Sequence, residues 1–253
     1  TLMRAIGHLA RWAGRGVALS AVSTMAAQRV SGAARGARVE VVPNGVDAAW
    51  WHPGEGPASG GSVAGVGGGG KAVHVVSAMR LVSRKRPLAM LRVLEQARSV
   101  LDPGVALRAT LVGEGPQRRL IEHHVRSRGL DWVELPGRVT KDELRSLHQG
   151  ADLYLTTALL EAFGIAALEA RAAGLPVVAR RGTGADDFVR DGVDGLLADS
   201  DASLAGALAH LAADGGLRSR MRAHLLATPP TQDWPGVVDA TLAEYRRAGV
   251  TTS

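Results

Sequence analysis

Three neighbouring stretches decide the fold: Asp152-Leu153-Tyr154-Leu155-Thr156, then Glu161-Ala162-Phe163-Gly164-Ile165-Ala166-Ala167-Leu168-Glu169, then Gly174-Leu175-Pro176-Val177-Val178-Ala179. The first is a short apolar run with the length of a buried strand, and so is Pro176 to Ala179. Between them the spacing predicts a helix from about Gly164 to Ala173, closed by a tight Gly174-Leu175 turn. A strand, a helix and a second strand so closely connected form a βαβ unit, which places the two strands parallel.

Working outward, the alternation repeats. Val73 to Ser77 reads as a buried strand, and Pro87 opens a helix with Leu88, Leu91, Leu94 and Ala97 on one face. Leu107 to Val112 is a strand and Gln117 to Arg128 a helix. Thr140-Lys141-Asp142-Glu143 is a capping box that starts a helix through His148. Leu204, Leu208 and Leu211 mark an amphipathic helix, and Val237 to Arg247 a last one. The expected fold is α/β, a doubly wound, Rossmann-like parallel sheet with helices on both faces. Ligands of such sheets bind beyond the carboxyl ends of the strands.

The first 50 residues stand apart. Gly16 to Ser20 and Arg38 to Val42 are strand candidates with a helix, Thr24 to Val30, between them. That is too little for a core of its own. Residues 54–70 are dominated by glycine and read as a linker. The domain reading is therefore 1–50, a remnant of another domain; 54–70, a linker; 71–230, the main domain; and 231–253, a terminal helical segment.

Composition narrows the function. The 253 residues carry a formal charge of +6 and no cysteine, which excludes disulfides, thiolate metal sites and a cysteine nucleophile. The positive balance favours anionic partners: nucleic acid, a membrane surface or a phosphorylated small molecule. No basic run interleaves with aromatic residues and no nucleic-acid-binding signature occurs, so nucleic acid is not an expected partner. No apolar stretch approaches the ~18 residues needed to span a bilayer. A cytoplasmic protein is the default expectation. The basic balance leaves room for peripheral contact at the inner membrane face. A start at Thr1 sets the expectation that a segment upstream is missing.

Four features could carry chemistry. Glu161 falls in a strand-to-helix loop, and Gly164 opens the following helix, whose free backbone N–H groups and dipole suit an anion. Glu169, a turn and a half on, can aim its carboxylate back toward the same cleft, so the pair suits the hydroxyls of a nucleotide-sugar. On spacing alone, two solvated helix-end glutamates are the commoner reading. Arg80-Leu81-Val82-Ser83-Arg84-Lys85-Arg86 puts four cations in a loop after a strand, enough to neutralise a diphosphate. A solvated basic loop is the commoner reading of any single charge run. The turns Gly113-Glu114-Gly115-Pro116 and Gly137-Arg138-Val139 are weak signals by themselves. All four follow strands, so the sheet would bring them to one edge.

Taken together, residues 40 to 247 resemble family 4 of the glycosyltransferases, specifically the C-terminal, donor-binding half of that GT-B fold. The resemblance rests on Val42-Pro43-Asn44-Gly45-Val46-Asp47, the Arg80 and Lys85 pair, the two glycine turns, and Glu161 and Glu169 with Phe163-Gly164-Ile165 between them. Gly174-Leu175-Pro176-Val177-Val178 and Asp191-Gly192 through Gly195-Leu196 fit as well, and Trp234 and Tyr245 sit where the family's last helix crosses back to its first domain.

The resemblance implies a retaining, metal-independent hexosyltransferase with no cofactor and a nucleoside-diphosphate sugar as donor. Glu161, Lys85 and Arg80 would be catalytic, with Glu161 on the transferred sugar and the two cations on the diphosphate. Glu169 would take the ribose. The donor would also meet Gly113, Gly115, Arg138 and Val139, and the backbone of Phe163, Gly164 and Ile165. A catalytically inactive nucleotide-sugar-binding module is the alternative, and a sugar-nucleotide epimerase of the same fold a more distant one.

Three departures matter. Arg86 stands where the family has glycine, and Thr183-Gly184-Ala185-Asp186-Asp187 replaces a Gly-Gly turn. The family's acceptor loop and histidine belong to an N-terminal domain that this chain mostly lacks. The expected partners are therefore a nucleotide-sugar and either that missing domain or another copy of the chain.

Overall fold

The structure, a computed structural model, describes residues 9, 11–54 and 72–249. Of the glycine-rich stretch 54–70, only Gly54 lies within the described residues. The main sheet has six strands: β3 (Val73–Ala78), β4 (Leu107–Val112), β5 (Val133–Gly137), β6 (Leu153–Leu155), β7 (Val177–Arg180) and β8 (Gly195–Ala198). They run in the spatial order β5-β4-β3-β6-β7-β8, and every adjacent pair is parallel. The order reverses between β3 and β6, which makes that junction the topological switch point.

A smaller, parallel pair, β1 (Leu19–Ala21) and β2 (Val39–Val41), flanks helix α1 (Thr24–Ala33). Helices α2 (Ala48–Trp51), α3 (Pro87–Ser99), α4 (Arg118–Ser127), α5 (Lys141–Gly150), α6 (Ile165–Ala172), α7 (Asp201–Ala213), α8 (Gly215–Ala227) and α9 (Trp234–Arg247) complete the described elements.

Strand residues alternate between two cores, one on each face. Val75, Leu153, Leu155 and Val178 join Leu91, Leu94, Leu204 and Leu208 of α3 and α7. Val76, Tyr154, Val177 and Ala179 join Leu168 of α6 and Trp51 of α2. Both faces are covered, which is why these strands read as continuous apolar runs. Burial of each such aliphatic side chain contributes roughly 1.5–3 kcal/mol.

Four elements lie beyond the sequence expectation. The short helix α2 is not among the expected elements, β5 is interrupted in pattern by Pro136, β8 has only four residues, and α8 begins with Gly215-Gly216. The first strand pair does not float free. Asp187, from a 3-10 turn after β7, accepts the N–H of Thr24 at 2.7 Å and so helps cap α1. Val46 N–H donates to Gln232 O at 2.9 Å, and Arg247 of α9 donates to Leu19 O at 2.9 Å.

Candidate functional site

The switch point separates two loops, and the candidate site lies between them. The β3 loop leaves Ala78 and carries Arg80, Arg84 and Lys85; the β6 loop leaves Leu155 and carries Glu161 to Gly164. Tyr154 fixes their spacing: its buried hydroxyl donates to Ala78 O at 3.2 Å, and burial pushes the phenol well above its ordinary pKa.

A cleft of about 380 Å³ opens here, lined by Arg80, Arg84, Lys85, Glu161 and the first residues of α6. Lys85 Nζ and Glu161 Oε2 form an ion pair on its wall. Gly164 is the N-cap of α6 with φ 101°, and no side chain caps the helix. A side chain at that φ is strained, so glycine serves both the turn and the open helix end. Asn44 and Val22, from the segment taken as remnant, also line this cleft.

A second cleft of about 370 Å³ adjoins it. Gly113, Gly115, Arg138, Val139 and Leu144 line it, and Ala78, Met79 and Arg80 line both. Gly113 has φ 138°, and a Cβ there would lie 1.8 Å from Met79 O. Glycine at 113 is thus required by the β3 loop pressed against it, independently of any ligand. Arg80 is exposed and has no ion-pair partner among the described residues; the same holds for Arg84.

Arg86, which stands in a glycine position of the resemblance, is not one of the solvated cations of this loop. It donates from Nη1 and Nη2 to the two carboxylate oxygens of Asp201 at 2.9 and 2.6 Å, and to Thr157 O at 3.1 Å. Those bonds hold the Asp201 carboxyl below its ordinary pKa. Its backbone keeps the left-handed conformation, φ 58° and ψ 49°, that glycine would adopt at ease. The cation is spent on joining the β3 loop to α7.

Glu169 lines neither cleft. It is half-buried in α6, and burial pushes its carboxyl up to about 7, with Lys141 pulling the other way. The 183–188 turn, whose sequence departs from the resemblance, packs against the site's backbone: Gly184 N–H donates to Glu161 O at 2.8 Å. Sequence reasoning missed the roles of Arg86–Asp201, Tyr154 and Asn44; the unusual Arg in a glycine position signalled the first, and Asn44 belongs to the Val42 to Asp47 motif, read only as a connection between domains. A larger cavity, about 560 Å³, lies away from these loops between residues 46–52 and the start of α9, without converging cations. Among the described residues, no three His, Asp or Glu side chains group closely enough to hold a metal ion.

A doubly wound sheet with cations, a glycine turn and an uncapped helix end at its switch point is an architecture suited to an anionic ligand. The family is more specific: residues 69–224 match the model of glycosyl transferases group 1, and the chain belongs to that family. It is 34% identical over 235 residues to a D-inositol 3-phosphate glycosyltransferase of Salinispora arenicola, covering 83% of this chain and 50% of that protein. The corresponding enzyme of Nocardia farcinica is 32% identical over 222 residues, with 83% and 48% covered. The chain thus spans about half the length of these curated relatives.

Among solved structures, Anabaena HepE in complex with UDP and glucose superposes with a TM-score of 0.72 at 20% identity, covering 93% of this chain and 63% of that one. Sucrose-phosphate synthase from Thermosynechococcus elongatus gives 0.70 at 22%, with 90% and 57% covered. The six-stranded sheet is that of the Rossmann-like C-terminal domain of GT-B glycosyltransferases. No helix among the described residues is long and apolar enough to cross a membrane.

Proposed function

We propose that this chain carries the donor-binding half of a retaining glycosyltransferase that moves a sugar from a nucleoside-diphosphate sugar without a metal ion. The observation that carries this reading is the meeting of the two clefts along Ala78, Met79 and Arg80, at the reversal of strand order. The diphosphate lies across Arg80, Lys85 and the N-terminus of α6. The base sits beside Arg138 and Val139, the ribose reaches Glu169, and the sugar meets Glu161 and the backbone of Phe163 to Ile165.

In the free chain Glu161 neutralises Lys85. A bound diphosphate competes for that ammonium and frees the Glu161 carboxylate for sugar hydroxyls. As the sugar–phosphate bond breaks, the leaving phosphate gains charge, and the two cations stabilise it where it forms. Residues 1–50 and the terminal segment 231–253 belong with the acceptor-binding domain, which supplies the acceptor's contacts.

Calorimetry with UDP, GDP and ADP in the presence of a chelator tests the donor reading. At least one should bind, and equally well with and without chelator, because fixed cations already face the phosphates. Loss of binding in chelator overturns metal independence; no binding of any of the three overturns the donor site.

A further inference from the structure

Arg118, the first residue of α4, joins three segments through one guanidinium. Its Nε donates to Glu122 Oε1 at 2.7 Å, Nη1 to Glu114 Oε1 at 2.8 Å and Nη2 to Leu135 O at 2.9 Å. Glu122 is one turn further along α4, Glu114 belongs to the loop after β4, and Leu135 lies in β5 just before the Gly137 turn. The planar fork of arginine suits acceptors in fixed directions, which an ammonium on a flexible stem does not hold in the same way.

The two loops so joined furnish the second cleft. Gly113, Glu114 and Gly115 line it from the β4 side, and Arg138 and Val139 from the β5 side. Arg118 itself lines neither cleft. The clamp is closely fitted: a Cβ at Gly137 would lie 2.7 Å from Glu114 Oε1 and 2.9 Å from Arg118 Nη1, and Gly113 N–H donates to Gly137 O at 2.7 Å. The loop after β3 is fastened to the same wall, since Leu81 N–H donates to Glu114 O at 2.9 Å. The side chains of Arg118, Glu114 and Glu122 remain 26%, 51% and 31% exposed. Ion pairs so open to water contribute only about 0.2–1 kcal/mol each to stability. What they fix is where the wall stands.

We propose that Arg118 is the positioning residue of the base subsite: its guanidinium holds the loops after β4 and β5 at the separation that admits a nucleobase and fixes the Glu114 carboxylate in the wall. The inference rests on the reading of this cleft as the seat of the base and adds the group that sets its width. Among the described residues Glu114 Oε2 takes no protein hydrogen bond, so it remains an acceptor for the N–H edge of a base. Arg118 acts through that wall and does not touch the donor.

Calorimetry with inorganic pyrophosphate, UDP, GDP and ADP tests this role. The ratio of the best nucleotide's affinity to that of pyrophosphate measures what base and ribose add to the diphosphate. Arg118→Met should lower that ratio about tenfold, the equivalent of one hydrogen bond to a charged group. It should also level the preference among the three nucleotides while pyrophosphate binds as before. Arg118→Lys should not rescue the ratio, because charge without the fork leaves the loops unjoined. Arg119→Met, removing the exposed cation beside it, should change nothing. Glu114→Ala leaves the bonds to Glu122 and Leu135 in place and should lower the ratio by less; it carries the test if Arg118→Met does not fold. A ratio unmoved in the variant that carries the test overturns the positioning role. So does full rescue by lysine, or a fall in pyrophosphate affinity equal to that of the nucleotides. A wild-type chain that binds pyrophosphate and all three nucleotides equally overturns instead the placement of a base in this cleft.

Discussion

Four cations sit within seven residues of one loop, yet the structure gives them different work. Arg80 and Arg84 are open to solvent, Lys85 pairs with Glu161 across the cleft, and Arg86 clamps Asp201. Substitution should separate them. Arg80→Ala and Lys85→Ala should each weaken UDP binding by about 1.5–3 kcal/mol, the range for hydrogen bonds to charged groups. Arg84→Ala should cost less. Arg86→Ala should leave UDP affinity nearly unchanged and instead lower stability to urea by roughly 1 kcal/mol, through loss of a bidentate, half-buried pair. Equal losses of affinity in all four variants would show a diffuse attraction and no built site. Sequence spacing located this loop but could not apportion it, because Asp201 lies 115 residues away from Arg86 in the chain.

Helix α5 makes a different kind of prediction. Its His148 is fully buried between Trp51, at 5.3 Å, and Tyr154, at 5.9 Å, and neither ring nitrogen has a partner among the described residues. Burial lowers its pKa to about 3, and that of His74 in β3 to about 4. Both folded values lie below the unfolded value of about 6.5, so below that pH the unfolded chain binds more protons. The stability they confer is fully present above 6.5 and is lost progressively as pH falls toward about 4 for His74 and about 3 for His148. Urea unfolding at pH 7.5 and pH 5 should show a lower midpoint at the acid value, and His148→Phe should reduce the difference; an unchanged difference assigns the acid sensitivity to other groups. At this scale the sequence was informative where periodicity was strong. The capping box at Thr140, the Pro87 start and the apolar strands Val73–Ala78 and Leu107–Val112 announce themselves locally. β5 and β8 do not, because Pro136 and a four-residue length leave no alternation to read, and α8 hides behind two glycines and scattered arginines.

For the whole molecule, the described residues form one complete doubly wound sheet and one small, two-stranded sheet. Trp234, Val238 and Tyr245 make an exposed apolar stripe along α9, beside that smaller unit. With about half the length of its relatives, the chain is expected to bind donor and to transfer sugar slowly or not at all. On the proposed reading, supplying an acceptor-binding domain should raise transfer, with retention at the anomeric carbon by proton NMR of the product. Transfer by the 253-residue chain alone at ~1 s⁻¹ or more would place the acceptor site within this chain. The shared wall at Arg80 has one more consequence. The cleft on the Arg138 side is furnished by the loops after β3, β4 and β5, and the cleft on the Glu161 side by the loops after β3, β6 and β7 with Val22 and Asn44. Apart from Ala78, Met79 and Arg80, which both clefts share, substitutions in the lining of one need not disturb the other, so on the proposed reading base and sugar specificity could change separately while the shared wall stays constant.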